Sequence, residues 1–122
     1  MANPADFTTS HVKIANGQTT SGEVDCRGKI LLAIQTPAAL TGNTLAFQAA
    51  EKPTAEGGTY VDVKHLNVLA VTQFTITGVA ASQHIILDGS LLPEGLGNAM
   101  LKVVSSGAEG ADRDLILYFR TI

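Results

Sequence analysis

Tryptophan is absent from this chain of 122 residues, aromatic residues make up 5% of it, and cysteine occurs once. Each scarcity narrows the possible functions. Asp25, Asp62, Asp88, Asp112 and Asp114 could supply a pair of carboxylates for cutting a glycosidic bond. Such acids work in clefts whose aromatic rings stack on the sugar, and few rings are on hand. The single Cys26 cannot close an intramolecular disulfide, which points to a reducing compartment. Set between Asp25 and Arg27 in an alternating run, it reads as a small buried hydrophobe rather than an activated thiol. Charged residues are also sparse, at 16% against about 25% in an average domain. With a net charge of -3 there is no basic stripe to neutralise phosphates, so no direct nucleic-acid partner is expected. No apolar run approaches the ~20 residues that span a bilayer, and no charged stretch followed by an apolar one opens the chain. The expectation is a soluble, unprocessed protein with no membrane partner.

Catalytic and metal-binding constellations are missing as well. His11, His65 and His84 show neither H-x-H nor H-x-x-x-H spacing, and scattered strand residues do not make the three or four converging ligands of a zinc or iron site. No G-x-S-x-G elbow occurs, and Ser105-Ser106-Gly107 reads as a turn after a strand. Gly57-Gly58 and the loop from Pro93 to Gly97 lack the lysine and the strand-to-helix setting of a phosphate cradle. The segment AEGADRD, Ala108 to Asp114, gathers three acids and Arg113. Oxygen ligands for a cation could be drawn from it, but a solvated loop with an exposed Asp-Arg pair accounts for it more simply. The chain is therefore read as no enzyme, with no cofactor and no metal.

What is present is a succession of short alternating runs. Val12 and Ile14 alternate with polar neighbours ahead of an Asn16-Gly17 turn signal of the hairpin type. Val24 and Cys26 follow, then KILLAIQT from Lys29, apolar on both faces. Further on come TYVDVKHL, VLAVTQFTITG, HIILD, AMLKVVSSG and DLILYFR, separated by Gly, Pro, Asn and Asp clusters. Eight or nine short strands with no sustained helical period predict an all-β protein, an antiparallel β-sandwich or barrel, with a sandwich of jelly-roll-like form as the expected fold. Residues 1–10 read as an extended N-terminal arm and residues 11–122 as a single domain.

One stretch is ambiguous. In TPAALTGNTLAFQAAE, Thr36 to Glu51, Thr44 could cap a helix beginning at Leu45, or Leu45, Phe47 and Ala49 could line one face of a strand. A helix there would last only about two turns before Pro53 and would stand alone among strands. The strand reading is the consistent one. It turns Pro37 to Gly42 into a corner that exposes Ala38, Ala39 and Leu40. A second apolar loop carries Leu91, Leu92 and Leu96, and Phe7 lies on the arm. A weakly charged surface with apolar loop tips suits a protein whose surface is partly covered by subunits or by a large assembly, although a Thr-rich monomer would have the same composition. Phe7, Ala38, Ala39, Leu40, Leu91, Leu92 and Leu96 are the candidate interface residues.

The segments SGEVDCRGKILLAIQTPAALTGNTLAFQAA, GGTYVDV, HIILD, KVVSSG and ADRDLILYFR, which together span residues 21 to 120, resemble a group of small virion structural proteins of tailed bacteriophages. The shared features are a strand leading into an I-x-x-P-A-A corner, an L-x-F-Q-A strand and a closing A-D-R-x-L-x-L strand. Leu40 stands where an aromatic is common at the corner. The resemblance implies a β-sandwich virion component, most simply a capsid decoration or cement protein. Such a protein is often a trimer, sits on the outer surface of the major capsid shell and stabilises it after being made in the host cytoplasm. The alternative within the same setting is a tail, fibre or head-fibre module that binds host-surface glycan.

Overall fold

The computed structural model of the protein describes residues 7–67, 69–87 and 98–121. Side-chain alternation decides the architecture. Val12 and Ile14 are buried at the end of β1 (Phe7–Ile14), and Leu115, Leu117 and Phe119 are buried along β11 (Arg113–Thr121). Sheets with one apolar face must bury it against a second layer, and these strands do so in a sandwich of two antiparallel sheets. The remaining strands are β2 (Val24–Asp25), β3 (Lys29–Gln35), β4 (Thr44–Ala50), β5 (Val61–Asp62), β6 (Lys64–Asn67), β7 (Ala70–Gln73), β8 (Thr75–Thr77), β9 (His84–Ile86) and β10 (Met100–Ser105). One sheet runs β1-β11-β3-β9; the other runs β2-β10-β4, with β5 and β8 both paired to β4.

Apart from β4, β5 and β8, which share a sheet, successive strands of the sandwich cross between the two, so that β1, β3, β9 and β11 fall in one and β2, β4, β5, β8 and β10 in the other. Two Greek keys interlocked in this way form a jelly roll, as the strand pattern predicted. Among the described residues there is no α-helix, only a 3-10 turn at Thr54–Glu56, and no helix long and apolar enough to cross a membrane.

The ambiguous stretch is a strand. Leu45 and Phe47 of β4 are fully buried, and the Phe47 ring packs against that of Phe74 with centroids 6.0 Å apart. Burying side chains of this size stabilises by roughly 1.5–3 kcal/mol each. Leu31, Ile34, Leu101, Val103, Leu115, Leu117 and Phe119 complete the layer between the sheets. Leu31 and Ile34 both face inward although they are three residues apart. A bulge permits it, because Phe119 pairs with Leu31 and Tyr118 with Ala33, leaving Leu32 without a partner position. Cys26 is fully buried, as expected of a small hydrophobe, and burial pushes its thiol up to about 12.

Several local expectations differ from the structure. The Asn16-Gly17 turn forms, with Gly17 at φ +81°, but it does not close a hairpin: β1 and β2 lie in different sheets. Residues 7–10 of the expected arm already belong to β1, where Phe7 pairs with Arg120 and Ser10 with Leu117, so the strand starts well before Val12. Residues 1–6 lie outside the described residues. The runs TYVDVKHL and VLAVTQFTITG, each read as one strand, are each broken in two. The β4 ladder passes from Asp62 of β5 to Thr75 of β8, and residues 64–73 between them fold out as the separate two-stranded hairpin β6–β7. Val63 and Phe74 close its base, the Val63 carbonyl accepting the Phe74 N–H at 3.0 Å. No Gly or Pro marks where the chain leaves the ladder or turns back, which is why the excursion is invisible in the sequence.

Candidate interaction surface

The corner between β3 and β4 is built from both ends. At its start Thr36 is buried; its hydroxyl donates to the Ala80 carbonyl at 2.7 Å and accepts the Gln83 N–H at 2.8 Å. The Pro37 carbonyl accepts the Ser82 N–H at 2.8 Å. At its end lies Glu109, whose side chain has no exposed surface. Its two oxygens accept the N–H groups of Thr41 (2.8 Å) and Gly42 (3.0 Å), the hydroxyl of Ser105 (2.8 Å) and Nε of Arg113 (3.1 Å). Burial pushes the Glu109 carboxyl up, but these donors outweigh it and hold the group at about 2.

This overturns the reading of Ala108 to Asp114 as a merely solvated loop with an Asp-Arg pair. Arg113 pairs with Glu109, and Asp112 instead accepts the Asn16 N–H at 2.9 Å and faces Lys13 at 3.9 Å. Glu109 is not marked in the sequence because the two backbone N–H groups it binds, at Thr41 and Gly42, lie 68 and 67 residues away. The available signal was an acid flanked by Ala108, Gly110 and Ala111 with Arg113 four residues on.

Between these two anchors Ala38 and Ala39 are exposed, as expected. Leu40 is not: it is half-buried and packs against the core, because the corner folds back toward the sandwich where Glu109 grips it. Phe7 is 47% exposed at the start of β1. Leu91, Leu92 and Leu96 lie outside the described residues.

Phe7 and Ala38 mark the two ends of the outer face of the β1-β11-β3-β9 sheet. That face holds two concavities side by side. One, of about 410 Å³, is lined by Phe7, Thr9, Leu32, Ala33, Ile86 and Tyr118. The other, of about 420 Å³, is lined by Gln35, Pro37, Ala38, Ser82, Asp114 and Ile116. His84 borders both and meets the Tyr118 ring edge-on at 4.9 Å, while the Tyr118 hydroxyl donates to Gln35 Oε1 at 2.8 Å. Phe7 is a surface residue, as its place among the candidate interface residues required, and Tyr118 and Tyr60 are half-buried. Phe47, Phe74 and Phe119 are the aromatics of the core.

The opposite sheet presents a polar outer surface. Gln48 donates to Asp62 at 3.5 Å. Glu23 accepts the Tyr60 hydroxyl and both the N–H and hydroxyl of Thr54, and the Lys102 ammonium lies 4.3 Å from the Tyr60 ring centroid. The Tyr60 hydrogen bond and those from Thr54 hold the Glu23 carboxyl below its ordinary range. Burial and the same bond to Glu23 push the Tyr60 phenol up. Asp25 is engaged by Arg27 at 2.9 Å, whose hydrogen bonds lower its carboxyl to about 2.

Among the described residues no three His, Cys, Asp or Glu side chains gather in a way that could hold a metal ion. This surface offers apolar area, a fixed backbone and a few hydrogen-bonding groups.

No family model matches the chain, and no curated protein is significantly similar to it. A solved structure from work on the mechanism of oxalate oxidase aligns with 98% of this chain at 11% identity and a TM-score of 0.36. The chain spans 44% of that structure's length, and nothing is carried over from it.

Proposed function

We propose that this chain is a non-enzymatic structural protein of a tailed-phage virion, a capsid decoration or cement protein that binds the outer surface of the major capsid shell and stabilises it. The observation that carries this reading is the preformed corner. Ala38 and Ala39 are exposed and uncharged, while the backbone on either side of them is fixed by buried Thr36 and buried Glu109. Binding through a backbone already held in place loses little conformational entropy, so even a small apolar contact keeps most of its gain. The phage-like segments of the sequence supply the partner, the major capsid protein, and the expectation of a homo-oligomer, most simply a trimer. Several such corners on one oligomer engage the shell together, which multiplies weak contacts. The workplace is then the capsid surface, reached after synthesis in the host cytoplasm.

The test is co-sedimentation of purified protein with expanded shells. Wild type is expected to bind saturably, and Ala38→Glu or Ala39→Glu to lose at least about tenfold in affinity, equivalent to 1.4 kcal/mol, with an unchanged melting temperature. Wild type that fails to bind shells, or Glu variants that bind as well as wild type, would sink the reading.

A second reading draws on a different observation: Phe7, Tyr118 and His84 lie together on the outer face, where rings could stack on a sugar. It makes the chain a tail, fibre or head-fibre module that binds host-surface glycan. A reproducible glycan-array hit abolished by Tyr118→Ala, in a protein that ignores capsid shells, would select it.

A further inference from the structure

The inserted β6–β7 hairpin and the groove on the outer face of the β1-β11-β3-β9 sheet both leave apolar surface open. At the hairpin tip Leu69 is 93% exposed, and Val71 beside it is 68% exposed. Adjacent exposed apolar side chains on one element form a candidate contact surface. The groove at Phe7, Leu32, Ala33 and Ile86 is apolar and is lined by no charged side chain.

The charges are of opposite sign. Lys64 is the sole Lys, Arg, Asp or Glu of the hairpin segment 64–73, and Asp114 is the sole one lining the two concavities of the outer face. Neither belongs to the three ion pairs found among the described residues; Lys13, across the ladder from Asp114, is engaged with Asp112. Their spacing agrees too. Asp114 and Tyr118 are four residues apart on β11, ~13 Å at the rise of a strand. From the Lys64–Gln73 pair to the Asn67–Ala70 pair is three steps, and Leu69 lies one step further, again ~13 Å. Lys64 lies opposite Gln73, two residues from Val71, so Lys64 and Val71 occupy the same face of the hairpin.

We propose that the hairpin of one copy seats in the outer groove of a second copy, with Leu69 and Val71 in the Phe7–Ile86 concavity and Lys64 against Asp114. This deepens the homo-oligomer in the function proposed above. It does not depend on the shell, since it concerns contacts between copies of the free protein. The two halves are different surfaces, so the contact is heterologous and repeats from copy to copy; a closed ring follows when the rotation between copies completes a turn. A closed ring occupies every hairpin and every groove, and three copies is the number that the function proposed above expects.

The experiment is a sedimentation measurement of mass on the full-length protein over a concentration series. Wild type is expected to sediment as a trimer. Leu69→Asp and Ile86→Asp are each expected to sediment as monomers with native circular dichroism; both positions are exposed, so folding is spared. The decisive arm mixes the two variants in equal amounts. One retains its groove and the other its hairpin, so a one-to-one dimer should appear. Lys64→Glu and Asp114→Lys should each weaken association by about tenfold, and the double variant should recover it. Wild type that remains monomeric at its solubility limit overturns the proposal, as does an assembled Leu69→Asp variant or a mixture that stays monomeric. Failure of shell binding with a normal trimer would instead count against the cement reading alone.

Discussion

Gly42 and Glu109 are joined across 67 residues by a single 3.0 Å hydrogen bond from a backbone N–H to a buried carboxylate oxygen. With the companion bond from Thr41, it fixes where the β3–β4 corner ends and where the loop before β11 begins. Removing the carboxylate would strand the Arg113 guanidinium and two backbone N–H groups in a buried setting. Glu109→Ala is therefore expected to cost about 3–5 kcal/mol, visible as a lower denaturation midpoint. Because the folded carboxyl sits at about 2 and the ordinary value is 4.5, its stabilisation is fully present above pH 4.5 and is lost as pH falls through 2. In an acid titration Glu109→Gln should show a shallower loss of stability over that window than wild type. Equal slopes would show that the carboxylate is not the group responsible.

Gly42 itself has no room for a side chain. A Cβ there would fall on Ser105 Oγ and would stand 3.2 Å from Ser105 Cβ and 3.1 Å from the Ser106 N. Gly42→Ala is expected to destabilise by about 1–3 kcal/mol, the usual cost of overpacking. Ser105→Ala added to it should restore only part, since the Cβ contact persists and the hydroxyl's bond to Glu109 is lost. Full recovery in the double variant would place the strain elsewhere.

Cys26 offers a reporter of global opening. The thiol is fully buried and is pushed up to about 12 by burial, so almost no reactive thiolate exists at neutral pH. A disulfide reagent should leave the folded protein unmodified at pH 8 and modify one thiol per chain after denaturation. Rapid labelling of the native protein would mean that the β2–β3 turn opens locally.

Tyr60 should titrate abnormally. Burial first, and then its hydrogen bond to Glu23, disfavour the phenolate. In a Tyr118→Phe background Tyr60 is the one tyrosine left, and its ultraviolet phenolate signal should rise later than that of free tyrosine. Adding Glu23→Gln should move the signal to lower pH without reaching the free value, because the burial component remains. No movement would mean that the Glu23 bond does not persist in solution.

Strand alternation, the loop punctuation of Gly, Pro and Asn, and the lack of helical period were enough to predict an antiparallel sandwich and to make Thr44–Ala50 a strand. They worked because a side chain facing a sheet's interior must be apolar whatever its partner strand is. Buried Cys26 and exposed Ala38 and Ala39 were legible for the same local reason. Pairing was not. Nothing in Val63 or Phe74 marks the points where the chain leaves and rejoins the β4 ladder, since both are ordinary strand residues and no Gly or Pro interrupts the chain between them.

Glu109 was hidden more deeply. An acid in a small-residue loop reads as solvated until the fold brings Thr41, Gly42, Ser105 and Arg113 around it. Tyr118 and Phe119 are neighbours on one alternating strand, and only the position of the second sheet says which of their two faces is inside. The amino-acid order by itself determined the kind of layers this protein could build. Which strands meet, which face stays open and which charge is buried were decided by tertiary contacts between residues far apart in the chain, where periodicity carries no information.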